Sequence, residues 1–167
     1  MRLSSFIGMH RDEFITCAKL YTPNLLRFSR RIIDSAIQAD DIVQESFIVL
    51  WKNREKVEMK SAKSYLFAVA HLKIMESVRA DKRMQCIDNE YYENTINPEQ
   101  ADCKELVQLA LKKIPKLFQE LLTLRDLESY SYKEIGEITG LTDDQVKVYL
   151  FRARKAIKEK ILELEMI

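Results

Sequence analysis

SYKEIGEITGLTDDQVKVYLFRARKA, residues 131–156, has the spacing that two helices meeting at a sharp turn require. Gly136 is the small residue where the helices touch, Gly140 supplies permissive turn backbone, and Val146 plugs the second helix into the first. Ile135, Ile138, Leu141 and Leu150 complete the inner face. Thr142, followed by Asp143 and Asp144, reads as an N-cap with acids in the first turn, which starts the second helix and suits its dipole. The outward face carries Lys147, Val148, Phe151 and Arg152 in one stripe, a mixture of cations, an apolar tip and an aromatic edge that fits a major groove. Arg154, Lys155 and Lys158 flank it as phosphate contacts. A plain helical hairpin with a solvated basic face shares the turn pattern, and Phe151 could instead be a core neighbour of Leu150.

Working outward, apolar residues recur at helical spacing in Leu106, Leu109, Ala110, Ile114, Leu117, Leu121 and Leu124, with Pro115 marking a restart. Three more helical pieces follow to Ile161. Upstream of this, from about Met84 to Cys103, periodicity stops: CIDNEYYENTINPEQ is polar, acidic and broken by Pro98, as a linker should be. Before it, Phe14, Ala18 and Leu20, then Leu25, Phe28 and Ile32, predict two packed helices separated at Pro23 and Asn24. A third is expected to begin at an acidic N-cap, Asp40 or Asp41, and a fourth near Ser61, making a small four-helix bundle.

Composition agrees with an all-α chain. Of 167 residues, 47% are hydrophobic, enough to bury real cores, and only three Gly and three Pro interrupt the helix formers. The net charge of +1 says little about partners, but its distribution does. Between Lys60 and Arg83 six cations face two acids; between Lys147 and Lys160 six face one; the stretch joining them is acidic. That segregation suggests two anion-binding surfaces on a repelling tether. The cysteines, Cys17, Cys86 and Cys103, indicate neither a disulfide framework nor a zinc site, and a reducing cytosol fits them. No signal sequence or membrane span is expected, so the chain reads as cytoplasmic, without membrane insertion. With His10 and His71 as the only histidines, and no metal spacing or phosphate-binding glycine loop, no catalytic site and no cofactor are expected.

Two further faces stand out. On the helix containing Val43, Phe47 and Leu50, a second stripe holds Asp41, Gln44, Glu45 and Ile48; a solvated face would look the same, but Ile48 favours a protein partner. The basic helix from Ser61 interleaves Lys63, Tyr65, Phe67, His71, Lys73 and Arg79, aromatic platforms beside cations that suit unstacked single-stranded bases. Tyr65 and Phe67 serve equally well as core residues, and His71 as a local hydrogen-bonding group.

Four segments in order, YTPNLLRFSRRI (21–32), DDIVQESFIVLW (40–51), KSYLFAVA (63–70) and SYKEIGEITGLTDDQVKVYLFRARKAIKEKI (131–161), resemble the extracytoplasmic-function (ECF) sigma factors of the sigma-70 family over nearly the whole chain. The resemblance implies an N-terminal helical bundle, sigma region 2, in residues 1–83; an acidic flexible linker in 84–104; and a helix-turn-helix domain, sigma region 4, in 105–167. It implies that Asp41, Gln44, Glu45 and Ile48 dock on the clamp helices of the largest subunit of core RNA polymerase, with a further contact to the flap region. It implies that Lys63, Tyr65, Phe67, His71, Lys73 and Arg79 lie by the melted minus-10 strand. Lys147, Val148, Phe151, Arg152, Arg154 and Lys155 would meet the minus-35 element of promoter DNA, and an anti-sigma factor would grip both domains. Leu72 and Glu76 stand where the family usually has Asn and Asp, and Val148 and Tyr149 where it has Ser and Arg, so the bases read are expected to be atypical. The competing reading is a helix-turn-helix regulator whose N-terminal bundle is a sensor or dimerisation domain; it leaves the first basic patch unexplained.

Overall fold

Burial of Leu25 and Phe28, one helical turn apart, carries the first helix straight through the proline that the sequence sets as its boundary. The computed structural model describes residues 8–85 and 102–166, and in it a single helix, α1, spans Arg11–Ile32 with Pro23 inside. Pro23 has no N–H to offer the Lys19 carbonyl, and both residues lie on the exposed side of the helix. Cys17, Leu25, Phe28 and Ile32 are fully buried, and this packing outweighs the local cost. Because the ring makes no compensating contact in the core, Pro23→Ala is expected to raise the unfolding free energy by about 1–2 kcal/mol, readable as a higher urea midpoint.

The second helix, α2, spans Ala36–Asn53 and so begins a turn before the expected Asp40 or Asp41. Ser35 is the N-cap, its hydroxyl accepting from the Gln38 N–H at 3.3 Å. Asp40 is instead engaged by the Arg30 guanidinium at 2.8 Å, which ties α2 back to α1. A 3-10 turn, Arg54–Lys56, leads to α3, Met59–Gln85. Among the described residues before the linker there are therefore three long helices where four were expected. Their core joins Phe28 and Phe67, ring centroids 5.1 Å apart, with Ile32, Leu50, Leu66, Ala70 and Ile74, all fully buried. The segment entering α1 is pinned by the Met9 N–H donating to the Arg54 carbonyl at 2.7 Å. Burial pushes the Cys17 thiol up to about 11, which keeps it protonated and inert.

The chain divides into two compact units, the division falling inside α3 after Met75. The linker expected from Met84 to Cys103 lies largely outside the described residues. The described chain resumes with α4, Cys103–Lys112, where Asp102 caps Lys104 and Glu105 reaches back to the Asp102 N–H at 3.2 Å. Pro115 then precedes α5, Lys116–Leu122, as its N-cap, the restart read from the sequence. Buried Gln119 donates to the Ile114 carbonyl at 2.9 Å, tying α5 to the turn that follows α4. A π turn, Thr123–Leu127, leads to α6, Tyr132–Thr139, and α7, Asp143–Glu165. The α7 helix packs on α4 and α5, burying Leu121, Leu124, Ile135, Val146, Leu150 and Ala153. No strand occurs among the described residues, and no helix there is long and apolar enough to cross a membrane.

Candidate nucleic-acid interface

Two glycines shape the corner between α6 and α7. A methyl group on Gly136 would come within 2.6 Å of the Leu141 carbonyl oxygen, so only glycine lets α6 pass this close to the turn. Gly140 sits at φ +76°, in the left-handed region. Both helices then start on reciprocal caps. Ser131 and Glu134 exchange hydrogen bonds of 2.8 and 3.2 Å at α6; Thr142 and Gln145 exchange bonds of 3.0 and 3.2 Å at α7. The Arg125 guanidinium holds the approach to α6 by donating to the Tyr130 carbonyl at 2.9 Å and stacking 4.9 Å over the Tyr132 ring.

These constraints fix which side of α7 faces outward. Val146, Leu150 and Ala153 point into the unit, while Lys147, Val148, Phe151, Arg152 and Lys155 are all exposed. Phe151 is 71% exposed, so its reading as a core residue fails. Arg154 lies at one edge, where Asp126 on the π turn pairs with it at 3.1 Å. Tyr149, expected near the DNA-facing region, instead turns its ring toward Phe118, centroids 6.2 Å apart.

On α3 the structure redistributes the expected residues. Phe67 is fully buried and His71 nearly so, which corrects their reading as stacking platforms: an edge-on partner in α1 has already taken Phe67. Lys73 leans to α2, its ammonium 3.1 Å from Glu45. Lys63 and Tyr65 are half-buried and Arg79 is exposed. At helical spacing the outward face of α3 is Tyr65, Leu72, Glu76 and Arg79, so the two departures from the usual ECF pattern, Leu72 and Glu76, lie on it. At its foot is a cavity of about 330 Å³ lined by Asn53, Lys56, Val57, Glu58, Ser61 and Tyr65. Apart from Tyr65, these residues were not singled out from the sequence, because the end of α2, the 3-10 turn and the start of α3 meet only in the folded unit. Lys60 sits beside the cavity, 2.7 Å from Glu58; this hydrogen bond raises the Lys60 pKa above its ordinary value.

On α2, Asp41, Gln44, Glu45 and Ile48 are brought together on one exposed side, with Ile48 half exposed at 51%. The stripe continues to Trp51, whose ring lies 4.9 Å from Phe14 and under the Arg54 guanidinium at 4.1 Å. An acidic face ending in a partly exposed aromatic is therefore presented on a rigid helix. Among the described residues no cluster of His, Cys, Asp and Glu could hold a metal ion.

Comparison with known proteins gives these surfaces a context. Residues 17–84 match the model for Sigma-70 region 2, and residues 104–157 match that for Sigma-70, region 4. Among curated proteins the chain is similar to the ECF RNA polymerase sigma factor SigM of Bacillus subtilis, 26% identical over 146 residues, covering 84% of this chain and 90% of the relative. It is also similar to the ECF RNA polymerase sigma-E factor of Haemophilus influenzae, 27% identical over 141 residues, covering 74% of this chain and 75% of that one. A similar fold occurs in the sigma factor RpoE bound to the anti-sigma factor NepR from Bartonella quintana, with a TM-score of 0.74 and 24% identity over 90% of this chain and 97% of that one. CnrH in complex with the cytosolic domain of CnrY gives a TM-score of 0.65 at 16% identity, covering 90% of this chain and 88% of that one. With both regions present in order, the chain belongs to the sigma-70 family of RNA polymerase sigma factors, in its extracytoplasmic-function branch.

Proposed function

We propose that this sigma factor docks on core RNA polymerase through α2, opens and holds the minus-10 element along α3, and reads the minus-35 element with α7. The observation that carries the reading is the pairing of the two sigma regions with an exposed, basic, capped recognition helix. It is not an enzyme; the polymerase performs the phosphoryl transfer, and the chain supplies recognition in the cytoplasm.

Region 2 is assigned to residues 1–83, the linker to 84–104 and region 4 to 105–167. Asp41, Gln44, Glu45 and Ile48, extended by Trp51, meet the clamp helices. An anti-sigma factor competing for that stripe would silence the chain. Lys63, Tyr65, Lys73 and Arg79 serve the melted strand, and the cavity beside Tyr65 suits an unstacked base: it is of ligand-pocket size, the Ser61 hydroxyl is a polar group on its lining, and the Asn53 amide, whose NH2 donates to the Val49 carbonyl at 2.9 Å, keeps its oxygen as an acceptor. Phe67 and His71 support that helix from within.

Lys147, Val148, Phe151 and Arg152 face the upstream bases, with Lys155 on phosphate. The test is Arg152→Ala in the reconstituted holoenzyme, scored by competition binding against single-base variants of the upstream element. A loss of about 1–3 kcal/mol with relaxed selection at one base pair is expected. An equal small loss over all sequences would make Arg152 a phosphate contact.

A further inference from the structure

We infer that Val148 and Phe151 make this sigma factor a reader of thymine 5-methyl groups on two neighbouring A·T pairs of its upstream promoter element. The inference rests on the placement of α7 in the major groove proposed above. Val148 is 44% exposed and Phe151 71% exposed, and both lie within the charged stripe bordered by Lys147, Arg152 and Lys155. The bordering cations suit a polyanionic groove, and the apolar centre suits what that groove offers at one kind of base only. Adenine, guanine and cytosine present donors and acceptors at their major-groove edges, whereas thymine adds an apolar methyl. Val148 has no hydrogen-bonding group with which to select any other edge, and facing a cytosine amine it would strip water from a donor without replacing it.

The spacing assigns the two side chains to separate base pairs. They stand three residues apart, a step by which positions on a groove-bound helix meet successive bases. Where the family usually has Ser, Val148 exchanges a polar contact for an apolar one. Tyr149, turned toward Phe118, leaves that apolar centre uncrowded.

The experiment replaces thymine with deoxyuridine, which removes the methyl and keeps base pairing. Duplexes bound by the holoenzyme are first selected from a pool randomised in the upstream element. Each selected thymine is then exchanged singly, and affinity is measured for wild type, Val148→Ser, Phe151→Ala and Arg152→Ala. Two adjacent thymines are expected to lose about three- to fivefold on demethylation in the wild type. Val148→Ser should abolish that sensitivity at one of them and Phe151→Ala at the other, while Arg152→Ala keeps both. All three side chains are exposed, so the variants should unfold like the wild type. If demethylation has no effect anywhere, or persists unchanged in Phe151→Ala and Val148→Ser, methyl reading is overturned. Should binding then still fall in Arg152→Ala, groove contact by α7 stands without it. If no upstream sequence is selected at all, both fall together.

Discussion

The Gln44→Lys, Glu45→Lys double variant is expected to lose core polymerase binding by on the order of a hundredfold or more, since juxtaposed like charges in an interface cost several kcal/mol. Gln44, Glu45 and Ile48 are exposed on the side of α2 opposite Ala39, Val43, Ser46 and Leu50, so the change alters the outer face and leaves the core intact. Within the chain it replaces the ion pair between Glu45 and Lys73, 3.1 Å apart, by two facing lysines, which can turn away from each other into solvent. Glu45 is about half exposed there, and such pairs contribute roughly 0–1 kcal/mol, so the resulting fall in stability is small. The measurement is co-purification with core polymerase beside a thermal melt. A normal melt with abolished binding supports the docking face, and retained binding removes it. Affinity of α7 for upstream duplex DNA should be unchanged, which separates this effect from general damage.

The second large effect is expected at Gly136. Gly136→Val places its first side-chain carbon 2.6 Å from the Leu141 carbonyl oxygen, an atom of the backbone that no rotamer change can move aside. The turn must shift, taking Leu141 and the Thr142 cap with it. Overpacking of this kind costs about 1–3 kcal/mol or more, a large share of the stability of a small helical unit. Upstream DNA binding should fall with it, because the outward stripe of α7 is aimed by this corner. Gly140→Ala is expected to cost less, about 1 kcal/mol, because its penalty is the left-handed φ alone. The ranking is checked by denaturant unfolding of the full chain: if Gly140→Ala proves the more damaging, the close approach at Gly136 is not what sets the corner.

The helix-turn-helix was legible in the sequence because its determinants are local. Two glycines, a threonine cap and Val146 act within a dozen residues, and the structure puts each where the spacing required. What escaped the sequence depended on distant partners. Pro23 reads as a boundary until Leu25 and Phe28, just beyond it, are found buried in the core of the folded unit. Phe67 reads as a platform until Phe28, nearly forty positions earlier, occupies its ring. On α3 apolar and charged residues are distributed nearly all round the helix, so its inward side could not be chosen from periodicity. Tyr149 finds Phe118, and Arg154 finds Asp126, across α5 and the π turn. The cavity beside Tyr65 draws on three segments and leaves no local sign. Ser35 makes a weaker cap signal in the sequence than Asp40 and Asp41, five residues on, yet it caps α2 while Asp40 is engaged by Arg30.

Promoter-directed initiation is the property on which every assigned surface converges. Purified chain mixed with core polymerase and a pooled promoter library, followed by sequencing of run-off transcripts, tests it directly. Transcripts are expected that depend on the chain and start at fixed positions downstream of a shared pair of elements, with the double variant at Gln44 and Glu45 silent. Transcripts unchanged by the chain, or a chain that binds upstream DNA while core polymerase neither retains it nor initiates, would contradict the assignment.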